Sequence, residues 1–390
     1  MNHTERGELY FDHAATTPVD REVLEAMLPY FSQQFGNPSS VHSAGQAARR
    51  ALEEAREQVA EAVGAHARGV IFTSGATEAD HQALFGVLAM HGGGIVGSAA
   101  EHPAVLSAAK RMAAQGRVVS FVQPDPSGAV PLEAIREALE AQAAGGGTAL
   151  VAVMYVNNET GVLTPPAAVA DLAHEYGALF LCDAVQALGT EPVTLEGTGA
   201  DLLTLSGHKV YGPKGVGALI TRRDLELPPL LAGGEQERGH RPGTHGLPGI
   251  VGMAAAVQRA VTRMPDERAR LSRVQQAFEK AALTLDGVSL NGAGTMRGVK
   301  HSNLAVRGVD GETVLMLLDE AGVQVSAGSA CAAGSLDPSH VLLAMGLSRE
   351  QAKASVRFSF GELTDESAAV EAAKLLGAAI ERGRAAVRQG

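Results

Sequence analysis

The sequence predicts an α/β protein with a large domain, built on a mostly parallel sheet flanked by helices, and a smaller α+β domain. Three observations lead to this prediction. Between Thr16 and Gly217, short apolar runs alternate with longer helical patterns, as they do in β-α-β units. The stretch 232–246 is rich in glycine and charge and has no period, which indicates a loop. Beyond it, two long helical patterns precede further strand candidates and a closing helix, an order typical of a separate domain.

The length of the chain also favours two domains. A chain of 390 residues with 45% apolar residues is longer than the roughly 250–300 residues at which a single core stops growing. We expect the large domain to span residues 16–256. The small domain is expected to combine residues 1–15 with residues 257–390.

In the predicted parallel sheet, polar residues follow the strands. The apolar runs each indicate a buried strand that leads into a loop: 69–75, 94–105, 117–125, 149–161, 178–186, 201–209 and 215–223. Ligands of such sheets bind beyond the carboxyl ends of the strands. Four of these ends carry polar residues, namely Thr77, His102, Asn158 with Glu159, and Asp183. We expect them to converge on one site.

Composition argues against several classes of function. A net charge of -11 and a pI near 5.6 argue against a nucleic-acid groove, which needs an excess of Lys and Arg. No apolar run approaches the roughly 18 residues of a membrane helix, and the first residues lack a signal-peptide pattern, so we expect a cytoplasmic protein. Two cysteines cannot form a disulfide framework. None of the 13 histidines stands in a zinc-binding pattern, so no metal is expected.

Lys209 and Asp183 are the candidates for binding an aldehyde cofactor. A lysine that binds such a cofactor covalently needs a nearby carboxylate and a site where its amine can lose a proton. Asp183 ends an apolar strand, where a carboxylate needs a partner such as a protonated pyridine nitrogen. The alternatives are a helix cap for Asp183 and a solvated side chain for Lys209.

A phosphate group would find hydrogen-bond donors where the first strand run meets the following helix. Gly75, Ala76 and Thr77 supply backbone N–H groups and a hydroxyl there, and Ser206 and His208 flank the candidate lysine. The alternative is an ordinary β-α turn. A second glycine cluster, GPKGVG at 212–217, precedes a strand rather than a helix, so we interpret it as a close-packed turn.

The two cysteines differ in their surroundings. Cys331 lies in SAGSACAAGS, a small-residue segment without apolar period, as expected for a loop that presents a reactive thiol. The alternative is an inert loop thiol. Cys182 precedes Asp183 on a strand, so the two side chains point to opposite faces, and Cys182 is expected in the core.

Two further residues are candidates for the same site. His102 follows a strand and precedes a proline, and it suits stacking on a cofactor ring or proton transfer, although a lone histidine is more often structural. Arg357 stands in an otherwise apolar strand, where it would bind a carboxylate of the substrate or form an internal salt bridge.

Taken together, the motifs resemble a known family. YFDHAATTPVD, FGNPSSVH, IFTSGATEAD, EHPAV, VNNETGV, DAVQALG, LSGHKVYGPKGVGAL, GGEQERGHRPGT, SAGSACAAGS and VRFSFG occur in one order along nearly the whole chain. The chain is similar to the NifS/IscS-type cysteine desulfurases, within the class V aminotransferase group of fold-type I pyridoxal-phosphate (PLP) enzymes.

The resemblance implies a role for each matched residue. Lys209 would bind PLP covalently, Asp183 would pair with the pyridine nitrogen, Gln186 would bond the ring hydroxyl and His102 would stack on the ring. The phosphate would be held by Thr77, Ser206 and His208, helped by Thr244 from the neighbouring subunit of a homodimer. Asn158 and Arg357, with Asn37, would bind the carboxylate of L-cysteine. Cys331 would take the sulfur as a persulfide, release alanine and pass the sulfur to an acceptor such as an iron-sulfur scaffold or a thiolation enzyme.

The sequence also departs from the family pattern. His81 stands where Asn is usual, Pro242 where Ser is common, Ala332 and Ala333 where hydroxylated residues are frequent, and Glu362 where Arg is usual. None of these changes removes a cofactor-binding group. The alternatives are a selenocysteine lyase or an aminotransferase with the same lysine, or a non-catalytic scaffold.

Overall fold

A computed structural model describes residues 8–222, 225, 227–327 and 337–389. Its strands are β1 (Leu9–Tyr10), β2 (Val70–Thr73), β3 (Gly94–Ser98), β4 (Val119–Val122), β5 (Thr148–Met154), β6 (Leu179–Asp183), β7 (Leu202–Ser206), β8 (Gly217–Thr221), β9 (Val288–Asn291), β10 (His301–Val306), β11 (Val323–Gln324), β12 (Ser326–Ala327) and β13 (Ser355–Ser359).

The helices alternate with these strands in the first part of the chain. They are α1 (Arg21–Met27), α2 (Pro29–Ser32), α3 (Ser43–Ala62), α4 (Ala76–His91), α5 (Pro103–Ala114), α6 (Leu132–Ala143), α7 (Pro166–Glu175), α8 (Leu195–Thr198), α9 (Leu247–Ala282), α10 (Gly311–Glu320), α11 (His340–Ala344), α12 (Arg349–Lys353) and α13 (Glu366–Gln389). Short 3-10 turns cover Ala67–Gly69, Gly207–Lys209 and Gln236–Gly239.

The larger sheet has the spatial order β2-β8-β7-β6-β5-β3-β4. Its neighbouring strands are parallel, except that β8 is antiparallel to both β2 and β7. The prediction of a mostly parallel sheet is therefore confirmed. Because β2, β3, β5, β6 and β7 share one direction, the loops that follow them meet at a single edge.

Strand alternation buries both faces of this sheet. In β5, Leu150 and Ala152 join a core with α4 and α5, whereas Val151 and Val153 join a second core with α3, α7 and the first half of α9. Helices thus cover both faces, as a parallel sheet requires. Cys182 belongs to the second of these cores and is fully buried.

A second sheet follows, with antiparallel strands in the order β12-β13-β10-β9. It packs with α10, α13 and the second half of α9 around a separate core. A short parallel ladder joins β1 to β11, so residues near the start of the chain lie beside this second sheet.

Helix α9 joins the two long helical patterns of the sequence into one element of 36 residues that contains Pro265. A proline inside a helix costs about 3 kcal/mol. Both halves are nevertheless anchored, since Met253 and Val257 lie in one core and Val274 and Phe278 in another. Packing therefore outweighs the local penalty.

The division into residues 16–256 and the remainder stays a proposal, and α9 runs through its boundary. Among the residues that the structure describes, no helix is both long and apolar enough to cross a membrane.

Candidate active site

A cavity of about 510 Å³ opens at the sheet edge where the strands β2, β3, β5, β6 and β7 end. The residues of the predicted site that line it are Gly75, Ala76, Thr77, His102, Asn158, Asp183, Gln186, Ser206, His208, Lys209 and Arg357. They are spread over 283 positions of the chain, from 75 to 357. The expected convergence takes place for Thr77, His102, Asn158 and Asp183, whereas Glu159 is buried and does not line the cavity. The volume of the cavity suits a small-molecule site.

Lys209 ends the 3-10 turn that follows β7. Its Nζ donates hydrogen bonds to the carbonyl oxygens of Ala14 at 2.6 Å and Ala15 at 2.8 Å. The segment before α1 thus forms part of the cavity wall and holds the amine there.

Asp183, at the end of β6, is 8% exposed and lines the same cavity. One carboxylate oxygen accepts a hydrogen bond from the backbone N–H of Val185 at 2.9 Å. Burial raises the pKa of Asp183 to about 6, although the Val185 N–H and the positive charge of Lys209 act in the opposite direction. Asp183 is therefore a carboxylate for which a cationic partner in the cavity would be favourable.

Two buried carboxyl groups interact with the charge of Asp183. Asp80 on α4 and Glu101 after β3 are both 1% exposed. Burial, together with the charge of Asp183, raises the pKa of each well above the usual range. Burial thus disfavours the charged form of both groups.

The first turn of α4 faces the cavity with its backbone donors. Its N-cap residue is Gly75, so no side chain caps the helix. A helix start without a side-chain cap leaves N–H groups for an anion. Thr77, Ser206 and His208 line the cavity around this helix start.

The turn GPKGVG packs directly against this helix start. A Cβ atom at Gly217 would lie 2.6 Å from the carbonyl carbon of Gly75 and 2.8 Å from the carbonyl oxygen of Leu205. Only glycine allows this approach. The interpretation of 212–217 as a close-packed turn is therefore confirmed, and Lys214 and Gly215 of the turn line the cavity.

The two histidines of the cavity are neutral. Burial and the nearby charge of Lys209 lower the pKa of His102 and of His208 to about 4. Nδ1 of His102 accepts the N–H of Ala104 at 3.1 Å and caps α5. His208 Nδ1 lies 3.1 Å from the hydroxyl oxygen of Thr16.

Arg357 on β13 brings the second sheet into the cavity wall. Its guanidinium, 1% exposed, donates to the carbonyl oxygen of Asn158 at 2.8 Å and pairs with the carboxylate of Asp12 at 2.7 Å. Arg357 thus forms an internal salt bridge and also faces the cavity, and its role in binding a substrate carboxylate stays a prediction. Its Nε has no hydrogen-bond partner among the described residues.

Of the predicted site residues that the structure describes, Asn37 and Thr244 do not line this cavity. Asn37 is exposed, and its side chain accepts the N–H of Ser39 at 2.9 Å. Thr244 is exposed in the loop before α9. Cys331 lies outside the described residues. The roles of all three stay predictions.

Cys182 is described, and its side chain lies in the core on the face of β6 away from the cavity. Burial and the charge of Asp183 raise the pKa of its thiol well above the usual range. A buried, protonated thiol is unreactive.

The departures from the family pattern have structural partners. His81 Nδ1 lies 2.8 Å from the carbonyl oxygen of Thr77, and Pro242 packs against Gly233. Glu362 accepts two hydrogen bonds from Arg259, at 2.5 and 2.8 Å. Ala332 and Ala333 lie outside the described residues.

Sequence reasoning missed other residues around the site. Asp80 lies near the start of a helical pattern, where acidic residues are common. Lys214 was visible in the GPKGVG turn, but it was assigned no role. Lys300 is 6% exposed and donates from Nζ to the backbone oxygen of Lys209 at 3.1 Å, and burial and the charge of Lys209 lower its pKa to about 7. No local pattern around Lys300 indicates this contact.

The cavity residues fit PLP. The Asp183 carboxylate suits a protonated ring nitrogen, the Lys209 amine suits an aldehyde, and the uncapped start of α4 suits a phosphate. In addition, the side-chain oxygens of Gln186 and Asn158 are buried without a hydrogen-bond partner among the described residues. Such orphaned acceptors suit hydroxyl or amine donors of a ligand.

Comparisons with known proteins agree with this fit. The profile of the aminotransferase class-V family matches residues 9–371. Cysteine desulfurase IscS of Dictyoglomus turgidum is 41% identical over 361 residues, which cover 92% of this chain and 90% of that protein.

Solved structures show the same relationship. A NifS-like protein superposes with a TM-score of 0.89 at 31% identity, covering 96% of this chain and 100% of that one. SspA in complex with cysteine has a TM-score of 0.78 at 35% identity, covering 90% of this chain and 98% of that one. The chain therefore belongs to the aminotransferase class-V family, whose enzymes depend on PLP.

Proposed function

We propose that this chain is a cysteine desulfurase that binds PLP through Lys209, transfers the sulfur of L-cysteine to Cys331 and releases alanine. The observation that carries the proposal is the placement of Lys209 and Asp183 in one cavity with the uncapped start of α4. The similarity to proteins named cysteine desulfurase, at about 40% identity over nearly the whole chain, supports the choice of reaction.

The cofactor would be held at three points. Asp183 would pair with the ring nitrogen, and Gln186 would bond the ring hydroxyl. His102, as a neutral ring, would stack on the cofactor plane. Thr77, Ser206 and His208 would bind the phosphate together with the N–H groups of α4. Bound PLP supplies an electron sink for bonds broken at the substrate.

Lys209 is proposed to move the proton at the α-carbon of the substrate. The carbonyl oxygens of Ala14 and Ala15 accept hydrogen bonds from Nζ and keep the amine at one position in the cavity. The neutral state of His102 leaves its ring available to exchange a proton with the substrate amine or thiol.

The substrate carboxylate is proposed to bind at Arg357, with Asn158 and Asn37. The guanidinium already faces the cavity and has a donor, Nε, without a partner among the described residues. A planar guanidinium binds a carboxylate with two parallel hydrogen bonds. Asp12 would share Arg357 with the substrate.

Sulfur transfer requires a thiolate at Cys331. Its Sγ would attack the substrate sulfur, forming an S–S bond, while the C–S bond of the substrate breaks. The electron pair of that bond stays with the substrate carbon, which takes up a proton and leaves as alanine. A persulfide remains on Cys331 and passes to an acceptor protein.

The proposal is tested by incubating the purified protein with L-cysteine and measuring alanine and sulfide. Mass spectrometry then locates the extra sulfur. Cys331→Ser is expected to abolish alanine formation while the visible absorbance of bound PLP remains, and Cys182→Ser is the matched control at the other cysteine. Borohydride reduction is expected to fix the cofactor on Lys209. A sulfur adduct on Cys182, or no trapped cofactor on Lys209, would refute the assignment.

The same experiment separates the alternative functions. A selenocysteine lyase would process selenocysteine and leave cysteine unchanged. An aminotransferase would keep its activity in Cys331→Ser and would form a keto acid. A scaffold without catalysis would show no cofactor absorbance at all.

We also propose that the protein forms a homodimer in which each subunit gives Thr244 to the phosphate site of the other. In support, Thr244 is exposed outside the cavity of its own chain, and Phe31, Phe35 and Val41 expose 60, 75 and 87% of their surfaces. Such apolar exposure is typical of an interface.

Subunit mixing tests this arrangement. Lys209→Ala and Thr244→Ala each damage both sites of their own homodimer. A mixed dimer would contain one intact site, so random mixing of the two variants is expected to restore about a quarter of the wild-type activity. No gain on mixing would count against shared sites.

The sulfur acceptor is proposed to be an iron-sulfur scaffold or a thiolation enzyme, and the location to be the cytoplasm. A reducing compartment would keep Cys331 available as a thiol. Transfer of labelled sulfur from the persulfide to candidate acceptors in a purified mixture tests the first part, and cell fractionation tests the second.

A further inference from the structure

The phosphate end of the cavity contains little positive charge. Among the described residues that line the cavity, the basic side chains are His102, His208, Lys209, Lys214 and Arg357. Phosphate esters carry between one and two negative charges near pH 7. A buried or half-buried anion of that charge needs compensation by cations or by several donors.

Most of these basic groups do not supply positive charge to the phosphate. The low pKa values of about 4 make His102 and His208 neutral. Under the proposed function, the amine of Lys209 is bound covalently to the aldehyde of PLP and does not contact the phosphate. Arg357 is engaged by Asp12 and by the Asn158 carbonyl. Lys214 is the remaining cation of the cavity wall in the part of the chain that the structure describes.

Lys214 lies in a turn that is fixed against the phosphate-binding helix start. The close approach of Gly217 to Gly75, at 2.6 Å for a Cβ atom, ties the turn 212–217 to the N-cap of α4. Lys214 also lowers the pKa of His208, so its charge lies near the imidazole that flanks the same site.

Glu78, an acidic residue of the cavity wall, is already paired. Glu78, in the first turn of α4, accepts hydrogen bonds from Arg241 at 2.8 and 3.3 Å and from the N–H of Ser74 at 2.8 Å. Glu78 therefore does not neutralise Lys214, which is exposed at the cavity wall.

We propose that Lys214 is a cofactor-binding residue that supplies the positive charge for the phosphate group of PLP. The turn GPKGVG is thus part of the phosphate site, held there by the glycine contact. The inference rests on the proposed function, since it presupposes that PLP occupies this cavity.

The test compares two ligands that differ only in the phosphate. Full-length protein is freed of cofactor with hydroxylamine and titrated with PLP and with pyridoxal, following the visible absorbance. Lys214→Met is expected to raise the dissociation constant of PLP about fivefold, the effect of losing one charge pair at an exposed lysine, and to leave that of pyridoxal unchanged. The holoenzyme of the same variant is expected to lose PLP faster on dilution.

Two further variants serve as controls. Lys214→Arg keeps the charge and is expected to retain most of the affinity for PLP. Lys280→Met removes an exposed lysine of α9 and is expected to change neither affinity. Equal weakening of PLP and pyridoxal in Lys214→Met, or no weakening of either, would overturn the inference. Absence of any covalent PLP on Lys209 in the wild-type protein would instead overturn the proposed function.

Discussion

Arg56 and Glu237 form a buried ion pair that offers a quantitative test of the fold. Their side chains are 2% and 1% exposed. Glu237 lies in the loop before α9 and accepts two hydrogen bonds from Arg56, both of 2.7 Å. It also accepts the N–H of Phe72 at 2.8 Å, and its other oxygen lies 2.8 Å from Nε2 of His245. The pair therefore ties this loop to α3 and to strand β2.

The stability lost when the carboxylate of Glu237 is removed can be calculated from the pKa of that carboxylate. Burial alone would raise the pKa of Glu237, but the hydrogen bonds from Arg56 and His245 outweigh it and lower the pKa to about 2. Against an ordinary value of 4.5, this difference corresponds to about 3 kcal/mol of stability. Breaking a buried pair from one side costs about 3–5 kcal/mol, which agrees.

Glu237→Gln is therefore expected to lower the free energy of unfolding by about 3–5 kcal/mol in urea at pH 7. The matched control is Glu53→Gln, because Glu53 contacts the same arginine at 3.2 Å but is 51% exposed. Glu53→Gln is expected to lower the free energy of unfolding by less than about 1 kcal/mol.

The pH dependence of this contribution has a defined sign. Because the folded pKa lies below the unfolded one, the stabilisation is complete above about pH 4.5 and is lost as the pH falls towards about 2. The difference in unfolding free energy between the wild type and Glu237→Gln is thus expected to decrease at low pH. Equal losses for the Glu237 and Glu53 variants would refute this reasoning.

Three further predictions concern the site. Cys182→Ala should leave alanine formation unchanged and lower the unfolding free energy by about 1 kcal/mol, since this thiol only fills the core; lost activity would contradict this. The affinity of the cofactor-free protein for PLP should fall as the pH drops through about 6, because Asp183 then becomes protonated, and this step should be missing in Asp183→Asn. Gly217→Ala should weaken PLP binding and lower stability by about 1–3 kcal/mol, because its Cβ would meet Gly75; unchanged PLP affinity and melting temperature would show that the turn can shift.

Much of the site was predictable because it depends on strand ends. Each apolar run indicates a strand. Because the carboxyl ends of parallel strands lie at one edge of the sheet, the residues after these runs could be expected there. The opposite faces of Cys182 and Asp183 followed from alternation alone. These inferences use only short-range patterns, which the sequence displays directly.

Other features depend on contacts between distant segments. The pairing of Asp12 with Arg357 joins positions 345 residues apart, and no local pattern indicates it. Asp80 lies near the start of a helical pattern, where acidic residues are common, yet the fold buries it within range of the charge of Asp183. Burial of this kind is decided by tertiary packing.

The direction of β8 was predictable in principle. The connection from β7 to β8 spans residues 207–216, which is too short for the helical crossover that parallel strands need. The antiparallel pairing follows from that length. Sheet direction thus depends on the connections as much as on the strands themselves.

The long helix α9 has a consequence for motion of the protein. Its first half is buried with the larger sheet and its second half with the smaller one, so the two sheets cannot rotate against each other unless α9 bends. Pro265 interrupts the backbone hydrogen bonding near the middle of the helix, which makes this residue the natural hinge. Any opening of the cavity between Arg357 and the strand ends would pivot there.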